Sequence, residues 1–147
     1  MRLRHEHSDL LERLRRASEE VRRNIALSVC DYAVALTGVR SAPVIRALDS
    51  LRRGTILTAA EVAELEAVVA SIDKRYLDLY GQYEDDPARN KDEYLAAYAG
   101  WCAASAVLFA CRRDSLEAAA EAIYEALAAE RAITGSEHRV RALITGA

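Results

Sequence analysis

From Tyr94 to Cys111 the chain reads YLAAYAGWCAASAVLFAC, eighteen residues without a charge in a sequence that is otherwise rich in Arg and Glu. Such a run is most readily accommodated as a helix that the other helices pack around. At 100° per residue, Tyr94, Tyr98, Trp101, Ser105, Leu108 and Phe109 fall on one side and Ala96, Gly100, Ala103 and Val107 on the other, so the helix has a bulky face and a thin face. The bulky face offers large apolar area, and the thin one lets a neighbouring backbone approach closely. A membrane span is the competing reading, since about 18 uncharged residues is its lower length limit. It is disfavoured, because many of these positions are Ala or Gly, and neither an aromatic belt nor a charge bias flanks the stretch.

The rest of the chain carries helical signals and no strand signal. A helix from Ser8 to Thr37, closed by Gly38, is expected from the seam Leu14, Val21, Ile25, Val29, Tyr32 and Leu36, with Glu12 and Glu19 four residues ahead of Arg16 and Arg23. A short helix follows, capped by Ser41, with Pro43 in its first turn and Arg53-Gly54 at its end. Thr58 and Glu61 form a capping box, flanked by Leu57 and Val62 as a hydrophobic staple, and a stripe from Val62 to Tyr83 marks a long bundle helix. The central helix starts either at Asp86 before Pro87 or at Asn90 with Glu93. Asp114, with Glu117 three residues on, caps a helix to about Ile133, and the tail adds a short helix or frays. The expected fold is all-α: one domain over residues 1–147, a bundle of about five helices with a central apolar helix near residues 90–111.

Charge and cysteine usage narrow the function. The net charge is −3, which argues against a generic nucleic-acid binder, but its distribution is lopsided. Residues 1–60 carry 11 basic and 7 acidic groups, residues 61–147 carry 9 and 16. Cys30, Cys102 and Cys111 suit neither a disulfide framework nor a zinc site and are expected to be buried free thiols. Charges occupy the first residues where a secretion signal would be apolar, which makes the cytoplasm the expected location. Asp31 is the one charge in the apolar second half of the first helix; it is expected to reach the surface or pair with an Arg, for which Arg46 is a candidate, and a catalytic acid is the less favoured reading.

Two constellations stand out. Tyr76, Tyr80 and Tyr83 on one helix and Tyr94, Tyr98 and Trp101 on the next are placed symmetrically about the intervening turn, so the pairs 83 with 94, 80 with 98 and 76 with 101 should meet in an antiparallel hairpin. They read as an aromatic core or, since buried tyrosine hydroxyls need partners, as the lining of a pocket. Glu117, Glu121 and Glu125 form an i, i+4 row opposite Leu116, Ile123 and Leu127, either a solvated face or a docking stripe for a basic partner. No Glu-x-x-His pair supports a di-metal bundle site. His5 and His7 lie on a segment expected to fray, so no metal and no cofactor is expected. Arg40, Arg46, Arg52 and Arg53 cluster near the second helix, but the following helix opens with Ala and Glu, which phosphates would repel.

No nucleophile elbow, metal-ligand spacing or phosphate loop is present, so an enzyme is the less favoured class. The leading expectation is a non-enzymatic protein-interaction module that binds or inhibits a basic partner through its acidic C-terminal half. That has the general character of bacterial immunity or antitoxin proteins, an analogy of style carried by no motif. The alternatives are a small-molecule-binding bundle with a tyrosine-lined pocket and, less favoured, a DNA-associated regulator. A homodimer is compatible with either leading reading.

Overall fold

The computed structural model describes residues 1–89 and 91–146, and among them every regular element is a helix. Where one helix was expected from Ser8 to Thr37, there are three pieces: α1 (Leu3–Glu6), α2 (Ser8–Arg16) and α3 (Glu19–Thr37). The chain is extended at Ala17 and Ser18, and the Ser18 hydroxyl accepts the Val21 N–H at 3.2 Å, which makes Ser18 the N-cap of α3. Arg22 closes the other side of the break by donating to the carbonyls of Leu14 at 2.7 Å and Arg15 at 3.0 Å. The break lets α2 turn so that Leu10, Leu11 and Leu14 point into the core beside Ile25 and Val29 of α3. A periodic seam alone cannot register this, because both pieces keep the same inward face.

The next boundaries follow the sequence closely. In α4 (Ala42–Arg53) Pro43 occupies the first turn and Gly54, at φ 66°, the C-cap, although the Ser41 side chain makes no capping bond. Helix α5 (Ala59–Asp85) opens on the expected capping box, with Thr58 Oγ1 accepting from Glu61 N–H and Glu61 Oε1 accepting from Thr58 N–H. Helix α6 (Asp92–Ala110) starts without a side-chain cap. Asp86 accepts the Ala88 N–H at 3.2 Å in a local turn rather than starting the helix, and the other expected start, Asn90, lies outside the described residues. Asp114 caps α7 (Ser115–Thr134) through Glu117 N–H at 2.8 Å, and α8 (His138–Thr145) gives the tail its helix.

The centre is shared by two helices. Thirteen residues of α7 are buried, against nine of α6. Most of the buried α7 positions are alanines, whose lack of bulk lets α3 and α6 close around it; its Glu content hid this from a reading of charge. The thin face of α6 behaves as expected: Gly100 is buried, and a Cβ there would meet the side chains of Val39 at 3.5 Å and Ile72 at 3.9 Å. Among the described residues no helix is long and apolar enough to cross a membrane.

Asp31 pairs with Arg52 at 2.5 Å rather than with Arg46, which turns to Glu64 on α5 at 2.6 Å. Six residues along a helix amount to about 240° of rotation, so Arg46 and Arg52 face different neighbours.

Candidate functional site

The six aromatic residues do converge, but with a different pairing. Tyr83 meets Tyr94 at 4.9 Å between ring centroids, and Tyr76 stacks on Trp101 at 6.2 Å and 6°, as the symmetry required. The middle pair does not form: Tyr80 packs edge-on against Tyr94 at 5.2 Å, and Tyr98 against Tyr76 at 5.3 Å. On interdigitating helices a side chain settles between two residues of the partner rather than opposite one, which mirror symmetry in the numbering ignores. The zone lies at the surface, with Tyr80 36% and its neighbour Leu77 56% exposed. These rings pack against one another as a half-exposed wall.

The glutamate row is not a solvated face. Glu121 and Glu125 are only 8% and 4% exposed, and Arg2 from the opposite end of the chain holds both. Its Nη2 lies 2.7 Å from Glu121 Oε2 and 2.6 Å from Glu125 Oε1, with Nε donating to Glu121 at 2.9 Å. The guanidinium also lies over the Tyr124 ring at 4.3 Å and near Phe109 at 5.3 Å, a stacked arrangement that suits arginine. Glu117 is separate from this cluster and pairs with Arg112. An inward-facing stripe on α7 spans more than the Leu116, Ile123, Leu127 edge because α1, α3 and α6 cover it from several sides.

Behind Arg2 the polar contacts continue inward. Tyr98 and Cys102 of α6 lie beside Glu125 here. Burial pushes the Cys102 thiol up to about 12 and raises Tyr98 as well, so both are neutral donors at physiological pH. Burial also raises the Glu125 carboxyl above its ordinary value, and Arg2 pulls it back only in part. The segment expected to fray is thus fixed: Leu3 is fully buried and His7 is 6% exposed, its Nδ1 2.8 Å from Arg141. Because arginine only donates, Nδ1 accepts and Nε2 carries the proton, which leaves no lone pair at Nε2 for a metal. The signal was present in the spacing of Leu3, His7, Leu10 and Leu14, which extends the helical seam past Ser8. Glu130, 2% exposed, was likewise missed: it caps α8 by accepting from the N–H groups of Arg139 at 2.9 Å and Val140 at 3.0 Å.

The best-formed concavity opens where the α4–α5 loop meets the α6–α7 turn. It encloses about 450 Å³. Leu51, Ile56, Leu57, Ala110 and Cys111 give it an apolar lining, and Arg23, Arg112 and Arg113 stand around it against a single acid, Glu19. Arg23 is committed to structure, donating to the carbonyls of Arg112 at 2.7 Å and of Arg113, and so fixing the α6–α7 turn. Arg112 stacks on Phe109 at 4.5 Å and pairs with Glu117. The Arg113 side chain has no partner among the described residues. The loop side is held by Gly54 and by the bond from Thr55 N–H to the Ser50 carbonyl at 3.0 Å. It presents Ile56, at 79% the most exposed large apolar side chain of the chain. Burial pushes the Cys111 thiol up to about 11, so it lines the cleft as a neutral group rather than as a thiolate nucleophile.

Comparison with protein-family models, with curated proteins and with solved structures finds no match to this chain.

Proposed function

We propose that the protein is a binding module whose site is the arginine-rimmed cleft between the α4–α5 loop and the α6–α7 turn, and that its ligand is a small amphipathic anion, a carboxylate with an apolar body. One observation carries this reading: an apolar-lined concavity of about 450 Å³ has a guanidinium, that of Arg113, with no partner among the described residues. Concave sites of this size with an apolar lining and a few convergent polar groups are where small ligands bind. The sign of the rim selects an anion, and Ile56 supplies apolar surface at the mouth.

Isothermal titration with octanoate and with its neutral amide tests the reading. Octanoate should bind the more tightly, and Arg113→Ala should weaken it about five- to tenfold while leaving the amide unchanged. Equal binding of acid and amide, or no binding of either, would refute it.

A protein partner is the second reading, favoured by the large apolar side chains of Ile45, Ile56, Leu77 and Tyr80, all at least 36% exposed. Such a partner would meet apolar side chains rather than the glutamate row, whose inner two members Arg2 already occupies.

A further inference from the structure

The amino-terminal segment and α8 meet around one buried imidazole. His7, between α1 and α2, is 6% exposed, and its two nitrogens have opposite surroundings. On one side Nδ1 accepts from Arg141 Nη2 of α8 at 2.8 Å, and the same guanidinium reaches Asp9 of α2 at 2.9 Å and Glu137 at 3.4 Å. On the other side the buried Nε2–H has no hydrogen-bond partner among the described residues. Glu137 at 3.7 Å and Glu6 at 3.9 Å lie just beyond bonding reach of it. Arg131 of α7 pairs with those two carboxylates, Glu137 at 3.2 Å and Glu6 at 3.7 Å. Glu130 of α7, also buried, is bonded instead to the Arg139 and Val140 N–H groups of α8.

The cluster thus sets three carboxylates, Glu6, Asp9 and Glu137, against two guanidiniums, Arg131 and Arg141. With the imidazole neutral it carries one unbalanced negative charge, which a proton on His7 would balance. Histidine is the side chain whose charge ordinarily changes between about pH 5 and 8. That proton can go only to Nδ1, because Nε2 already carries one. An imidazolium has no lone pair for Arg141, so two cationic donors would face each other at 2.8 Å. We infer that His7 is a proton-operated latch between the amino-terminal segment and α8. Neutral, it binds Arg141; protonated, it leaves Arg141 to Asp9 and Glu137 alone and loosens the middle of α8. The charge balance lets the cluster take the proton without the whole fold opening. The other ties of α8, Glu130 at its start and Arg13 at its end, do not involve His7. The inference is independent of the cleft, which shares no residue with this cluster.

The test follows the isotopically labelled full chain from about pH 7.5 to about pH 5. Imidazole nitrogen spectra should show neutral His7 with its proton on Nε2, gaining a second on Nδ1 as the pH falls. Amide exchange, corrected for its intrinsic pH dependence, should show the protection of Ala142 to Ile144 falling about tenfold relative to α7 over that range. His7→Asn places an acceptor that does not titrate near the Nδ1 position, so in this variant α8 should stay protected throughout. Should His7→Asn fail to fold, Arg141→Gln carries the comparison, since it removes the partner and should make α8 protection independent of pH. The exposed His5 and His138 remain in both variants and serve as the control. A fall in protection that persists in either folded variant would overturn the inference. So would an α8 whose protection does not change in the parent, or a neutral His7 with its proton on Nδ1.

Discussion

At the scale of single residues, Arg2 and Glu125 show most clearly what a linear reading misses. Three glutamates at i, i+4 spacing look solvated because like charges crowd one another on an isolated helix, and no local rule supplies a cation 119 positions away. The row was legible in its spacing and illegible in its surroundings. Its burial has a pH signature. The folded-state pKa of Glu125 is raised from the ordinary 4.5, chiefly by desolvation, so the folded chain holds that proton more tightly than the unfolded one. Glu125 therefore contributes most stability below about pH 4.5, and the contribution is lost as pH rises through its folded pKa. Glu125→Gln removes the titration, so the melting temperature of the variant minus that of the parent should increase from acid to neutral pH. A difference that shrinks over the same range would mean that the pull of Arg2 outweighs desolvation.

At the scale of elements, most boundaries could be read because their chemistry is local. The Thr58–Glu61 capping box, Pro43 in the first turn of α4 and the glycines after α3, α4 and α7 each act within a few residues. The break at Ala17–Ser18 could not, since the side chain that satisfies the end of α2, Arg22, looked like one more charge on a continuous amphipathic face. Likewise, α7 carries enough Glu to pass for a surface helix although its alanines place it at the centre. The thin face of α6 permits a graded test at Gly100. A methyl group there meets Val39 and Ile72 at ordinary contact distances, so Gly100→Ala should be neutral or stabilise by up to about 1 kcal/mol through helix propensity. Gly100→Leu should destabilise by about 1 to 3 kcal/mol, because a side chain of that size overpacks the space that Val39 and Ile72 leave. Thermal or urea denaturation of the pair decides. Equal stability of the two variants would mean that α6 does not pack its thin face against these neighbours.

At the scale of the whole molecule, the opposed charges of the two halves find each other. Arg2 reaches α7, Arg13 donates to the carbonyls of Ile144 at 3.2 Å and Thr145 at 2.8 Å, Arg23 holds the α6–α7 turn, and Arg141 pairs with Asp9 at 2.9 Å. Part of the charge visible in the sequence thus joins the ends of the chain, and two members of the glutamate row, Glu121 and Glu125, are held by Arg2. The Arg113 guanidinium at the mouth of an apolar cleft is the charge with a recognisable chemical use. The cleft itself was not legible, since its walls come from three separate segments, from Glu19 to Arg113, and only folding gathers them. The most direct measurement is a titration of isotopically labelled protein with octanoate, followed by backbone amide shifts. The account predicts saturable shifts gathered at Leu51, Thr55 to Leu57 and Ala110 to Arg113, with the neutral amide producing weaker ones at the same positions. Shifts that gather instead at Tyr76 to Tyr98, or that never saturate, would contradict it.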